Sequence, residues 1–322
     1  MLRFRNNPSK KKLLMLGINI RRLLRLIVLP GFEGMPLYDV LEFFFRGLFK
    51  GVLTYRAAAI AYNFFLALIP FVMFLFTLIP FVTGDQYQIY LLDLLKEVIP
   101  SNIFEMVKDT VIEIIRRPHQ GLLSAGFFMA IYFATNGVDA IIEGFNQSYH
   151  TEEKRPWWRQ KIVAFGLMLI LSVLIFISFS LLGFGELSIR LLTKKHFITS
   201  GISIFSLQLL RWFVILFATF LSTSILYYFG QLKKSRSIRY RFFSAGSVLS
   251  TGLFIVGGIV IKLYFENFSR YNILYGSIGS LIILLVWIYY NAFIILIGFE
   301  MDSSIRQSRL EDLKKKRYKI VE

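Results

Sequence analysis

Six stretches of the chain are mostly apolar and about 20 residues long or longer, the length a helix needs to cross the hydrocarbon core of a bilayer. They lie at 57–82, 121–141, 162–185, 208–229, 242–261 and 277–299. A soluble domain of this size would interleave its apolar residues with polar ones, whereas here they run together. In lipid the backbone must satisfy its own hydrogen bonds, so apolar runs of this length fold as helices. The expected fold is all-α: a polytopic membrane protein with six transmembrane helices and additional amphipathic interfacial helices. Pro70 falls inside the first span and should kink it, which a membrane bundle tolerates.

Charge orients these spans. The formal net charge is +17, and 27 of the 37 lysines and arginines fall in four segments: the first 56 residues, the loop after span two, the loop after span four, and the C-terminal tail. With six spans, all four lie on one side. The positive-inside rule then makes both termini cytoplasmic. The same bias accounts for the basic charge through anionic lipid headgroups at the cytoplasmic face, so no nucleic-acid partner is expected. The chain divides into a basic amphipathic N-terminal segment (1–34), a six-helix membrane domain (35–305) and a basic cytoplasmic tail (306–322). In the first, Leu13, Leu16, Ile20, Leu23, Leu24 and Ile27 share a helical face. Such a helix suits an anionic leaflet, and Arg21, Arg22 and Arg25 interrupt anything resembling a secretory signal. The outer loop 85–118 reads as two short amphipathic helices, with Pro100 between them and Pro118 at their end.

One stretch departs from the apolar pattern. In "ATNGVDAIIEGFN" (134–146), Asn136, Asp139, Glu143 and Asn146 step by three, four and three. On a helix they form one stripe, with Val138, Ile141 and Phe145 opposite. The stripe sits at the inner end of span two, where carboxylates either pair and hold helices or line a cavity. Arg56, Arg155 and Arg159 are the candidate charge partners. Asn63 and Asn291 lie in the inner parts of spans one and six, and each amide needs a partner in lipid. The candidate polar cavity is therefore Asn63, Asn136, Asp139, Glu143 and Asn291. Serines and threonines in spans four and five read as helix-packing residues, as do Gly252, Gly257 and Gly258. Glu300 and Asp302 follow span six and are expected at the inner surface, on roughly opposite faces.

Three stretches, "TYRAAAIAYNFFLALIP" (54–70), "GVDAIIEGFNQSYHTEEKRPWWRQK" (137–161) and "GSIGSLIILLVWIYYNAFIILIGFEMDSS" (276–304), resemble the YihY/BrkB family of bacterial inner-membrane proteins. That family was once labelled ribonuclease BN-like. The resemblance covers roughly residues 35–305. It implies a six-helix inner-membrane protein associated with the envelope, virulence or transport, without a settled activity. The nuclease label fails a chemical test on this sequence. The chain has no cysteine and three histidines, His119, His150 and His196. The first and last fall in outer loops and His150 inside, so they cannot meet at a metal. No phosphate-binding glycine motif follows a strand, and no cofactor or metal is expected. The chain reads as a non-enzyme, transporter-like or lipid-handling, with a cytoplasm-facing polar cavity. The alternative is a non-transporting structural or scaffold protein of the envelope.

Overall fold

The computed structural model describes residues 22–50, 52–82, 120–148, 155–194, 201–231, 242–275 and 277–321. The expected N-terminal helix before residue 22, the outer loop helices at 85–118 and the three histidines lie outside the described residues. Apart from a helical turn at 22–26, the described chain forms seven helices and no strand. They are α1 (Leu37–Lys50), α2 (Leu53–Val82), α3 (Gln120–Asn146), α4 (Trp157–Lys194), α5 (Gly201–Gly230), α6 (Ala245–Tyr275) and α7 (Ser277–Val321).

Five of these carry segments long and apolar enough to cross a membrane: Leu53–Phe74, Leu123–Asn146, Trp157–Ser178, Trp212–Gly230 and part of α7. The chain is an all-α polytopic membrane protein. The fifth expected span corresponds to α6, whose apolar stretch, Ala245–Ile261, is shorter. The helix itself continues to Tyr275. Helix α2 runs unbroken through Pro70.

Helices α2 to α7 pack as a closed ring in chain order: each touches the next, and α7 returns to α2. Short links make most neighbours antiparallel, and Arg56 at the start of α2 bonding Gly144 near the end of α3 shows the same for that pair. At one end of the ring α2 starts, α3 ends, α4 starts and α5 ends. The main core fills this end, with Ala57, Ile60, Ile142, Leu167, Tyr227 and Phe299 all buried. The rings of Phe145 and Phe299 stack with centroids 4.0 Å apart. Tyr227 meets Phe145 edge-on and donates from its hydroxyl to the Ile295 carbonyl at 2.7 Å. Close backbone approach joins α6 to α7. A Cβ at Gly246 would collide with the Gly298 carbonyl, and one at Gly298 with the side chains of Ser250 and Tyr227. Small residues serve this role in membrane bundles, where close van der Waals packing drives association.

Helix α1 lies outside the ring, against α7. It is amphipathic, with Val40, Phe44 and Gly47 buried at helical spacing and Phe45 and Phe49 exposed. Asp39 in its first turn and Lys50 in its last complement the helix dipole. Val52, at φ 50°, turns the chain from α1 into α2, a costly conformation for a β-branched residue. Helix α7 is 45 residues long, so it spans roughly 68 Å at the α-helical rise. That is twice the apolar thickness of a bilayer, about 30 Å. Its basic second half, expected as a separate tail from residue 306, continues the same helix. Phe32 and Val40 pack on Ile305 in a small second core, and Glu33 pairs with Arg309.

Candidate functional site

A cavity of about 250 Å³ opens at the core-packed end between α2, α3 and the start of α4. Helix α2 contributes Arg56 and Asn63, seven residues apart and so on one face. Helix α3 contributes Asn136, Asp139 and Glu143, and Gln147 follows it. Helix α4 contributes Lys161. Asn136, Asp139 and Glu143 of the stripe face this space, while Asn146, its fourth member, is buried beside Gln160 and Val138, Ile141 and Phe145 are buried in the core. Four of the five expected cavity residues therefore share one pocket.

The polar groups form a connected set. Lys161 Nζ lies 2.7 Å from Asp139 Oδ2 and donates to Asn136 Oδ1 at 2.8 Å. Gln160 Nε2 donates to Asp139 Oδ1 at 2.8 Å, and its own carbonyl accepts from Asn146 Nδ2 at 2.8 Å. Glu143 Oε1 accepts from Gln147 at 3.0 Å. Asn63 donates to the Ala59 carbonyl one turn back. Two cations and two carboxylates line the space, so its formal charge balances. Such a wall suits a polar or zwitterionic group better than a simple anion.

Asn291 is not part of this pocket. It donates to the Trp287 carbonyl on its own helix at 2.6 Å. The register of α7 turns Ala292, Leu296 and Phe299 inward, which leaves Asn291 off the packed face. The three arginines also take other work. Among the described residues Asp139 is held by Lys161 and Gln160 and by no arginine. Arg155 donates to the carbonyls of Phe229, Gly230 and Gln231, capping the C-terminus of α5. Burial lowers the pKa of that guanidinium from its ordinary value. Arg159 lies over the Trp158 ring, 4.9 Å from its centroid. Arg56 lines the pocket but reaches through to the core. Its Nε donates to the Gly144 carbonyl at 2.8 Å and its Nη1 lies 2.7 Å from Glu300 Oε1.

Glu300 is the residue that sequence reasoning placed least well. It was expected at the inner surface and is fully buried, at 0% exposure. Ser148 donates to its second oxygen at 2.9 Å, so the carboxylate joins α2, α3 and α7. Asp302 is buried too, and accepts from the Gly246 N–H at 2.6 Å at the start of α6. The two acids do point to different partners, as their spacing requires. Lys161, which lines the pocket, and Gln160, which holds Asp139 from beside it, were also missed. The one sequence signal was their position a few residues past the "RPWW" start of α4. Among the described residues no group of histidine, aspartate and glutamate is arranged to hold a metal.

The family described as Virulence factor BrkB matches residues 44–319. The chain is 27% identical over 257 residues to a Bacillus subtilis (strain 168) protein carrying the name ribonuclease-like protein YfkH, covering 79% of this chain and 90% of that one. It is 26% identical over 269 residues to a UPF0761 membrane protein of Coxiella burnetii (strain Dugway 5J108-111), covering 82% of this chain and 92% of the relative. A UPF0761 membrane protein of Idiomarina loihiensis is 32% identical over 112 residues, 35% of this chain and 37% of its own. No solved structure matches the chain.

Proposed function

The chain belongs to the BrkB family of membrane proteins, and from that premise we propose that it is a transporter-like or lipid-handling protein of the bacterial inner membrane. Its substrate enters through the polar pocket, which faces the cytoplasm. The observation that carries this reading is the pocket itself: Asn63, Asn136, Asp139 and Glu143 meet Arg56 and Lys161 around one space between α2, α3 and the start of α4. Polar side chains at that depth are costly unless a water-filled cavity or a substrate repays them. The cytoplasmic assignment, with both termini inside, is supported by the concentration of lysine and arginine in the end segments and the even-numbered loops. The same surface gathers anionic lipid headgroups. We propose no chemical step, since the pocket groups are not arranged as a nucleophile and its base. The word ribonuclease in the name of the Bacillus subtilis relative belongs to that protein.

One observation favours a scaffold instead. Both oxygens of Asp139 are already engaged, by Lys161 and Gln160. A stripe that only holds helices would look the same. Reconstitution separates the two. Purified protein is placed in liposomes with headgroup-labelled phospholipid, and leaflet exchange is followed with and without a pH gradient. Transport predicts exchange above empty vesicles and its loss in folded Asp139→Asn. The scaffold predicts background exchange in the wild type and a lowered melting temperature in the variant.

A further inference from the structure

A second space lies at the axis of the ring, and every helix of the ring lines it. Phe64 of α2, Ile141 of α3, Leu171 of α4, Ala218 of α5, Phe254 of α6 and Ile295 of α7 meet there. Its volume is about 380 Å³, which falls within the usual range for small-molecule sites, about 300–1,000 Å³. Its walls are apolar and carry no charge. Four hydroxyl residues, Ser178, Thr219, Ser222 and Thr223, lie among them, and three are spent on their own helices. Ser178 donates to the Leu174 carbonyl, Thr219 to Ile215 and Thr223 to Thr219. These walls therefore present little that would hold a phosphate, a carboxylate or a sugar.

Water fills an apolar space of this kind poorly. Leaving it empty forfeits dispersion contacts in proportion to its size. The medium around a membrane bundle supplies one abundant filler of matching chemistry. We propose that the axial chamber holds an acyl chain of a membrane lipid. This deepens the lipid-handling reading above and rests on it. The geometry gives the two sites a common wall. Asn63 faces the polar pocket and Phe64 the chamber, while on α3 Ala140 faces the pocket and Ile141 the chamber. The packed helices α2 and α3 thus separate an apolar space from a polar one, and the chain in the chamber is held by its apolar walls alone. At the core-packed end the chamber has a floor. Ile141 and Leu226 are buried there, with Tyr227, Phe145 and Phe299 packed together in the same core.

The test reads occupancy rather than movement. The full chain is placed in phospholipid nanodiscs containing a phospholipid with a diazirine near the end of one acyl chain. After illumination, labelled peptides are mapped. Outward-facing Phe128 and Phe213 label in any case, since both are exposed to the bilayer. The proposal predicts additional label on Phe64, Leu171 or Phe254. It also predicts loss of that inner label in Ala218→Trp, which fills the chamber, with the outer label unchanged. Ser222→Phe, on the same wall, takes its place if Ala218→Trp does not fold. A folded wild type labelled only on its outer face overturns the proposal, as does inner label that survives the filled chamber. Exchange without inner label would leave transport standing and remove the chamber from it. Inner label without exchange would keep the chamber and remove transport.

Discussion

At the scale of single residues, the contact between Arg56 and Glu300 carries the largest consequences. Both side chains are almost wholly buried, and the carboxylate also accepts from Ser148. Desolvating such a pair costs about as much as its attraction returns, so its net contribution to stability is small. Removing one partner is different, because the other charge stays buried. Glu300→Gln should therefore destabilise the protein by about 3–5 kcal/mol. The combined change Arg56→Met with Glu300→Leu should recover most of that loss. Unfolding in detergent, followed by circular dichroism, measures both. If Glu300→Gln unfolds like the wild type, the pair is not the tie between α2 and α7 that the geometry indicates. Asp139 is a contrasting case. Its partner Lys161 is partly exposed, so Asp139→Asn should cost stability only modestly, about 1 kcal/mol. That difference is what makes Asp139 the better probe of function.

At the scale of helices, the closest join is α6 on α7. Gly246 and Gly298 face each other, and neither has room for a methyl group. Gly298→Ala would drive a Cβ into Ser250 and Tyr227, and should cost about 1–3 kcal/mol through overpacking. Gly252 and Gly258 lie on the same helix as Gly246 with open space around them, so alanine there should be tolerated. Thermal melts of the three variants decide this. Equal losses in all three would mean that helix flexibility, not close approach, is what the glycines provide. The contrast also corrects an expectation. Gly257 does sit against Tyr290, but Gly252 and Gly258 make no such contact. At the far end of α5, Arg155 supplies the cap that three terminal carbonyls would otherwise lack, so Arg155→Met should fray that helix by about 1–2 kcal/mol, read as faster amide exchange over 226–231.

At the scale of the whole molecule, what could be read from the sequence is what each segment reports about itself. Apolar length marks the spans, and the three-four-three spacing on α3 marks both the polar stripe and the buried Val138, Ile141 and Phe145. What could not be read depends on register between distant segments. Arg56 and Glu300 are 244 positions apart, and no local pattern links them. Asn291 looked like a cavity residue until the rotation of α7 was known. The ends of the ring require that α6 crosses as its neighbours do. Phe32 and Val40, before α2, pack on Ile305, after the apolar part of α7. Both ends of the described chain thus share one end of the ring, which an odd number of crossings forbids. The chain has no cysteine, so a single introduced one reports its own side without background. Leu26→Cys and Lys315→Cys, both at exposed positions, should resist a membrane-impermeant thiol reagent on spheroplasts and react once the membrane is opened. Gly121→Cys, at the opposite end of α3, should react at once. The reverse pattern would invert the orientation read from the basic residues. Leu26→Cys and Lys315→Cys reacting on different sides would break the six-crossing ring itself, and with it the axial chamber that depends on every helix being present.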